Sequence, residues 1–204
     1  MEQNKKKEYD DAKGTVSTIV YFDEGGRKNT RETLILARKR AGELGIKKIV
    51  IASVRGLSVP VALEVFKGSD VHLTFASCDE CNGCVRFDPK MKAELEMRGY
   101  RLIMANEHAY PYPDAAQLAY RRLCEGMKVC VHLAIAMAEQ GLAAPHEEII
   151  AIAGTGWNGY GPGGGSDTAV VIEATKVKEF WTYLTMTEHK LKGRKIKEII
   201  CMPR

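Results

Sequence analysis

Two unbroken apolar runs, Ile49-Val50-Ile51-Ala52 and the Ile149–Ala153 stretch of Glu148–Ala153, constrain this chain more than any other feature. A strand that is wet on one face alternates apolar with polar residues, whereas one that is apolar at every position has both faces covered. Strands of that kind belong to the interior of an α/β sheet with helices above and below it. The segment between and around the runs has helical spacing, so strand and helix alternate along the chain.

Thr15–Phe22, rich in β-branched and aromatic residues, reads as a first strand. After the Asp23–Lys28 loop, Asn29 stands as an N-cap with Glu32 three positions on, a capping-box arrangement, and Gly45 is the stop. Leu34, Ala37, Ala41 and Leu44 lie between them at helical spacing. Ser58 and Pro60 open a short helix to about Phe66, Val71–Ala76 is a third strand, and Asp88-Pro89 opens a helix ending at Gly99. Leu102–Ala105 is a fourth strand, and a helical region from Asp114 to about Gln140 is expected to break or kink at Gly126. Thr168–Ala174 and Ile196–Met202 read as strands too, with Thr175–Lys192 unassigned between them. The short connection before Thr168 favours antiparallel pairing. The expected fold is a three-layer α/β domain: a mostly parallel sheet, helices on both faces and an antiparallel edge. Residues 1–14 are read as a loosely attached or disordered tail, and 15–204 as one domain.

Composition sets limits on partners. The net charge of +4, from 30 basic and 26 acidic residues, is too small to argue for nucleic acid. The Lys5-Lys6-Lys7 run sits beside Glu8, Asp10 and Asp11 and reads as a solvated tail, with a basic anchor as the alternative. No apolar run is long enough for a transmembrane helix or a signal peptide, and six cysteines in such a chain point to reduced thiols, metal ligands or core, hence to the cytoplasm. A homo-oligomer is compatible with all of this.

Ligands of open α/β sheets bind beyond the carboxyl ends of the strands, where helix N-termini aim their N–H groups. At the end of the second strand, Ser53-Val54-Arg55-Gly56-Leu57-Ser58 places two hydroxyls and a guanidinium around a glycine. That set suits a phosphate, each charge-assisted hydrogen bond contributing about 1.5–3 kcal/mol. A plain strand–turn–helix with Ser58 as its cap is the other reading. Gly154-Thr155-Gly156-Trp157-Asn158-Gly159 matches G-x-G-x-x-G, but a glycine-rich stretch and another strand follow it in place of a helix, which argues against a dinucleotide fold. It remains either a loop whose backbone approaches a ligand, with Trp157 or Tyr160 over a flat ring, or a hairpin connection. His108, beside Glu107 at a strand end, has three readings: an acid–base group, a ligand contact or a structural residue.

Cys78-Asp79-Glu80-Cys81-Asn82-Gly83-Cys84-Val85-Arg86-Phe87-Asp88-Pro89 is a ferredoxin-type run with Asp in place of the last cysteine. Cys78, Cys81 and Cys84 have the spacing to hold an iron–sulfur cluster, with Asp88, Cys124, Cys130 or an external molecule as fourth ligand. Zinc, a redox-sensitive thiol group and an ordinary surface loop are the other readings.

A family resemblance adds to this. Tyr21-Phe22, Asn29–Leu34, Arg40–Ser53, His108-Ala109, Gly126–Val129, Glu147–Gly156, Asp167–Ala169 and Ile196–Arg204 together resemble stand-alone archaeal and bacterial proteins similar to the pyruvate kinase C-terminal α/β domain. The resemblance implies a flavin mononucleotide site, or in the kinase domain a sugar-phosphate site, contacted by Asn29, Thr30, Ser53, Arg55, Gly56, Ser58, His108, Gly154, Thr155, Gly156, Asp167 and Thr168. It does not imply phosphoryl transfer, because the ~250-residue (β/α)₈ barrel that does the kinase chemistry is not in this sequence. The loop between Gly156 and Asp167 is longer than in that group, and the cysteine run is foreign to it.

Overall fold

A computed structural model describes residues 16–78, 87–105, 113–155, 164–181 and 195–204. Its strands are β1 (Val20–Phe22), β2 (Lys48–Ala52), β3 (His72–Ser77), β4 (Arg101–Met104), β5 (Glu148–Ala153), β6 (Thr168–Glu173) and β7 (Ile196–Pro203). Its helices are α1 (Thr30–Leu44), α2 (Val59–Val65), α3 (Pro89–Met97), α4 (Asp114–Arg121), α5 (Glu125–Glu139) and α6 (Val177–Trp181).

The seven strands form one mixed sheet in the order β1-β7-β6-β5-β2-β3-β4. Six of the seven strands share one direction, four of them (β5, β2, β3 and β4) as parallel neighbours and β1 with β7 as another parallel pair, and β6 alone runs against both of its neighbours, β5 and β7. The sheet is thus mostly parallel, with its antiparallel pairing where the last third of the chain joins it. β1 lies outside β7 and ends the sheet on that side. It is far from β2, its successor in the chain, because α1 crosses beneath β5, β6 and β7 before the chain returns.

Alternate residues of the continuous apolar runs face two separate cores, which is why no polar position interrupts them. Ile49, Ile51, Ile150, Ile152, Ala169 and Val171 pack with α1, α2 and α3 on one face. Val50, Ile149, Ala151, Val170 and Ile172 pack with α5 on the other, where Tyr120 of α4 and Phe180 of α6 also join. In α5, 12 of 15 residues are buried, as expected of a helix that is apolar nearly all round. Among the described residues no helix is long and apolar enough to cross a membrane.

Several local expectations are corrected. The first strand is confined to Val20–Phe22, since residues 16–19 make no ladder. Asn29 occupies the N-cap position of α1 without capping it: a 3₁₀ turn (Arg27–Asn29) precedes the helix, and the Asn29 amide donates to the Glu24 carbonyl at 2.7 Å. The capping box therefore does not form. The long helical region breaks at Arg122–Cys124 and not at Gly126, because Cys124 is extended (φ −171°, ψ 163°) and starts α5 with its own sulfur accepting from the Met127 amide. Asp88 caps α3 as expected, accepting from Lys90 N at 2.9 Å. Part of the unassigned 175–192 segment is α6; 182–194, like the 1–15 tail, lie outside the described residues.

Candidate functional site

Because all strands but β6 point the same way, their carboxyl ends open on one side, together with the amino end of β6. The β1–α1 loop, the β2–α2 turn and both described ends of the β5–β6 connection meet there.

Asp167 organises this edge. Its side chain is completely buried, and Oδ2 accepts from the amides of Gly26 (2.7 Å) and Thr155 (3.0 Å) and from the Thr155 hydroxyl. Oδ1 accepts from the Thr168 hydroxyl at 2.8 Å. Burying a carboxylate is costly unless several donors replace water, and four do so here. Beside it, Thr30 Oγ1 donates to Arg27 O at 2.8 Å and accepts from Ser166 N at 3.0 Å. Gly165, at φ +82°, passes so close to α1 that a side chain would strike the backbone of Arg27. Gly154 likewise abuts the Gly165 carbonyl, leaving no room for a β-carbon.

The β2–α2 turn is self-satisfied. Gly56 N donates to Ser53 O at 3.1 Å, Val59 N to Gly56 O at 3.0 Å, and Ser58 N to the Ser53 hydroxyl at 3.1 Å. The Ser58 hydroxyl is not a helix cap but meets that of Ser166 at 3.4 Å. Pro60 supplies no N–H, so α2, only seven residues long, offers no fan of amides to an anion. The charge of this turn is Arg55, half-buried, whose Nη2 lies 3.1 Å from where a Gly164 side chain would begin. The guanidinium therefore rests against the β5–β6 connection and links the second and fifth strand ends.

The thiols here are buried or, for Cys124, half-buried. Cys124 is held by Thr168 Oγ1 at 3.4 Å, and burial raises its pKa. Cys130 donates to Ala151 O at 3.3 Å and is raised well above the ordinary thiol value by complete burial. Burial likewise pushes Cys201 up to about 12. Such thiols are poor nucleophiles and poor ligands. Cys78 is half-buried just past β3.

Of the expected site residues, Asn29, Thr30, Ser53, Arg55, Gly56, Ser58, Gly154, Thr155, Asp167 and Thr168 come together at this edge, most of them bonded to one another. His108, Gly156, Cys81 and Cys84, with Trp157 and Tyr160, lie outside the described residues. Among the described residues no three His, Cys, Asp or Glu side chains group to hold a metal ion. Sequence reading missed Ser166, which is completely buried and holds Thr30, Thr33 and Ser58 at once. Its only signal was its position, between three glycines and an acid at the start of an apolar strand.

No family model matches the chain.

Proposed function

We propose that this chain binds a small phosphorylated ligand at the carboxyl edge of its sheet, with flavin mononucleotide the leading candidate. The observation that carries the reading is Arg55, a half-buried cation set between the end of β2 and the side-chain-free backbone of Gly164-Gly165. A guanidinium there can take a phosphate in a bidentate fork, and the glycines let the ligand approach the main chain. The hydroxyls of Ser53, Ser58, Thr30 and Thr155 are spent inside the protein, so their part is to hold the loops. The likeness to the pyruvate kinase C-terminal domain supports the same edge, since it is there that such a domain holds its sugar phosphate. For a flavin, the phosphate end fits Arg55; the ring is assigned to the segment carrying Trp157 and Tyr160. Bound flavin would supply redox chemistry, and no residue here is assigned a proton-transfer role beside it.

An absorption spectrum of anaerobically purified protein, followed by thermal-shift titration with flavin mononucleotide, riboflavin and fructose 1,6-bisphosphate, tests the reading. A flavin spectrum, or a shift with the mononucleotide that exceeds riboflavin's and is lost in Arg55→Ala, is expected. A colourless protein unmoved by any of the three would end the proposal.

A second reading, a non-catalytic sensor of a phosphorylated metabolite, is favoured by Asp167: it joins the β1–α1 and β5–β6 loops, so a ligand held by one is felt by the other. A shift with the sugar phosphate and none with the flavin would select it. An iron–sulfur electron carrier using Cys78, Cys81 and Cys84 is the third, and iron content decides it.

A further inference from the structure

At the opposite end of the sheet, where β2, β3 and β4 begin, a cavity of about 310 Å³ opens on the α5 face. Three basic side chains from three adjacent strands line it: Lys48, His72 and Arg101. Their convergence follows from register. Lys48 pairs with His72 and Thr74 with Arg101, and residues two apart on a strand share a face. Lys48 is on the side of Val50, His72 on that of Thr74 and Ala76, and Arg101 on that of Ile103, all facing the α5 core. The buried Thr74 lies between them, and Met137 with Leu142 gives the cavity an apolar wall.

The charges around it are unbalanced. Lys48 Nζ is paired with Glu147 at 2.8 Å, and His72 lies within the field of Asp70, whose carboxylate is itself taken by Lys47. Arg101 has no carboxylate partner among the described residues. Lys48 already carries its counter-charge, so Arg101 is the cation of this wall that a bound anion would meet, with the Lys48 ammonium keeping further N–H donors beside it. The remaining wall is held in place: Tyr100 stands edge-on to Phe75 at 6.1 Å, with the Arg98 guanidinium 5.5 Å from its ring centre.

We infer that this cavity is a binding site for a small organic anion with an aliphatic body, a short-chain carboxylate being the matching chemistry. Its volume lies at the lower end of the ~300–1,000 Å³ found for small-molecule sites. The carboxylate takes the Arg101 fork and the Lys48 ammonium; the chain lies along Met137 and Leu142, where a flexible thioether adapts to its shape. The site is separate from the carboxyl edge and does not rest on the phosphate reading.

The test is an NMR titration of the full chain with sodium hexanoate at low salt, with hexanol and acetate as controls. Arg101→Gln, an exposed substitution outside the core, is titrated in parallel after circular dichroism has verified its fold. Saturable hexanoate binding is expected, with shifts confined to amides near Lys48, Thr74, Arg101 and Leu142. Affinity should fall about tenfold in Arg101→Gln, as for loss of one charge-assisted fork, and at least as far for hexanol or acetate. Hexanol binding as tightly as hexanoate, an unchanged affinity in the variant, shifts located at the carboxyl edge or no saturation would each overturn the inference.

Discussion

The Asp167 carboxylate holds the amide of Gly26 at 2.7 Å across 141 residues of chain. With Thr155 on the same oxygen and Thr168 on the other, it fastens the β1–α1 loop to both ends of the β5–β6 connection at the edge where a ligand is proposed to bind. Asp167→Ala removes the acceptor from four donors at a fully buried position. A loss of about 3 kcal/mol in urea unfolding is expected. Asp167→Asn should lose less, because its amide oxygen can still accept on the Gly26 and Thr155 side while the Thr168 hydroxyl turns to accept from the new NH₂.

Two glycines in helices should respond to alanine with opposite signs. A β-carbon on Gly126, in the first turn of α5, would fall inside the contact distance of the Thr168 hydroxyl and 2.6 Å from its Cβ, whereas at Gly42 of α1 it meets nothing. Gly42→Ala should stabilise by up to about 1 kcal/mol through helix propensity. The same gain at Gly126 is overwhelmed by overpacking of about 1–3 kcal/mol. Denaturant midpoints of the two variants check both signs.

Glu173 closes the other end of β6. Burial opposes its charged form, but Lys197 at 2.6 Å and Lys195 at 3.0 Å outweigh that and leave its pKa lowered. A carboxyl whose folded pKa is depressed contributes stability that is present above its unfolded pKa and lost as pH falls through the folded value. Lys197→Met should therefore bring on acid destabilisation at a higher pH, and cost about 1 kcal/mol near neutrality. Unfolding midpoints measured from pH 7 down to the acid transition give the answer.

Thiol labelling reports the burial of the cysteines. At mildly alkaline pH in the native state, Cys130 and Cys201 should resist iodoacetamide, since both pKa values are raised by burial and the thiolate is the reactive form. Half-buried Cys124, raised for the same reason, should react slowly, and all three should label at once in denaturant. Peptide mass spectrometry reads the order. Rapid native labelling of Cys201 would contradict the packing of β7 against α1.

Much of the layering was legible because it is written in periodicity. The strands at Lys48–Ala52 and Glu148–Ala153, the α3 cap at Asp88 and the stop at Gly45 (φ +69°) each depend on residues within a turn or two of one another. The β1–α1 junction was misread because one local partner replaced another, and the α4–α5 break because a local signal lost to a tertiary one. Asn29 faces a carbonyl of its own loop, and Gly126 is small to admit Thr168 from a distant strand. The candidate site was legible as a set of loops but not in its roles, since Ser53 and Ser58 could point to a ligand or to Ser166 without any change in sequence pattern.

Sequence alone determined that β2 and β5 would be covered on both faces, because a strand without polar positions has no side to give to water. It also determined which loops follow the strand ends. Tertiary structure decided that β1 pairs with β7 instead of β2, and that the Asp167 carboxylate takes donors from Gly26 and Thr155, at the ends of two other stretches of chain, as well as from its neighbour Thr168. A buried charge must be met by whatever donors the crossovers bring to it, and that meeting depends on strand order, which no stretch of neighbouring residues encodes.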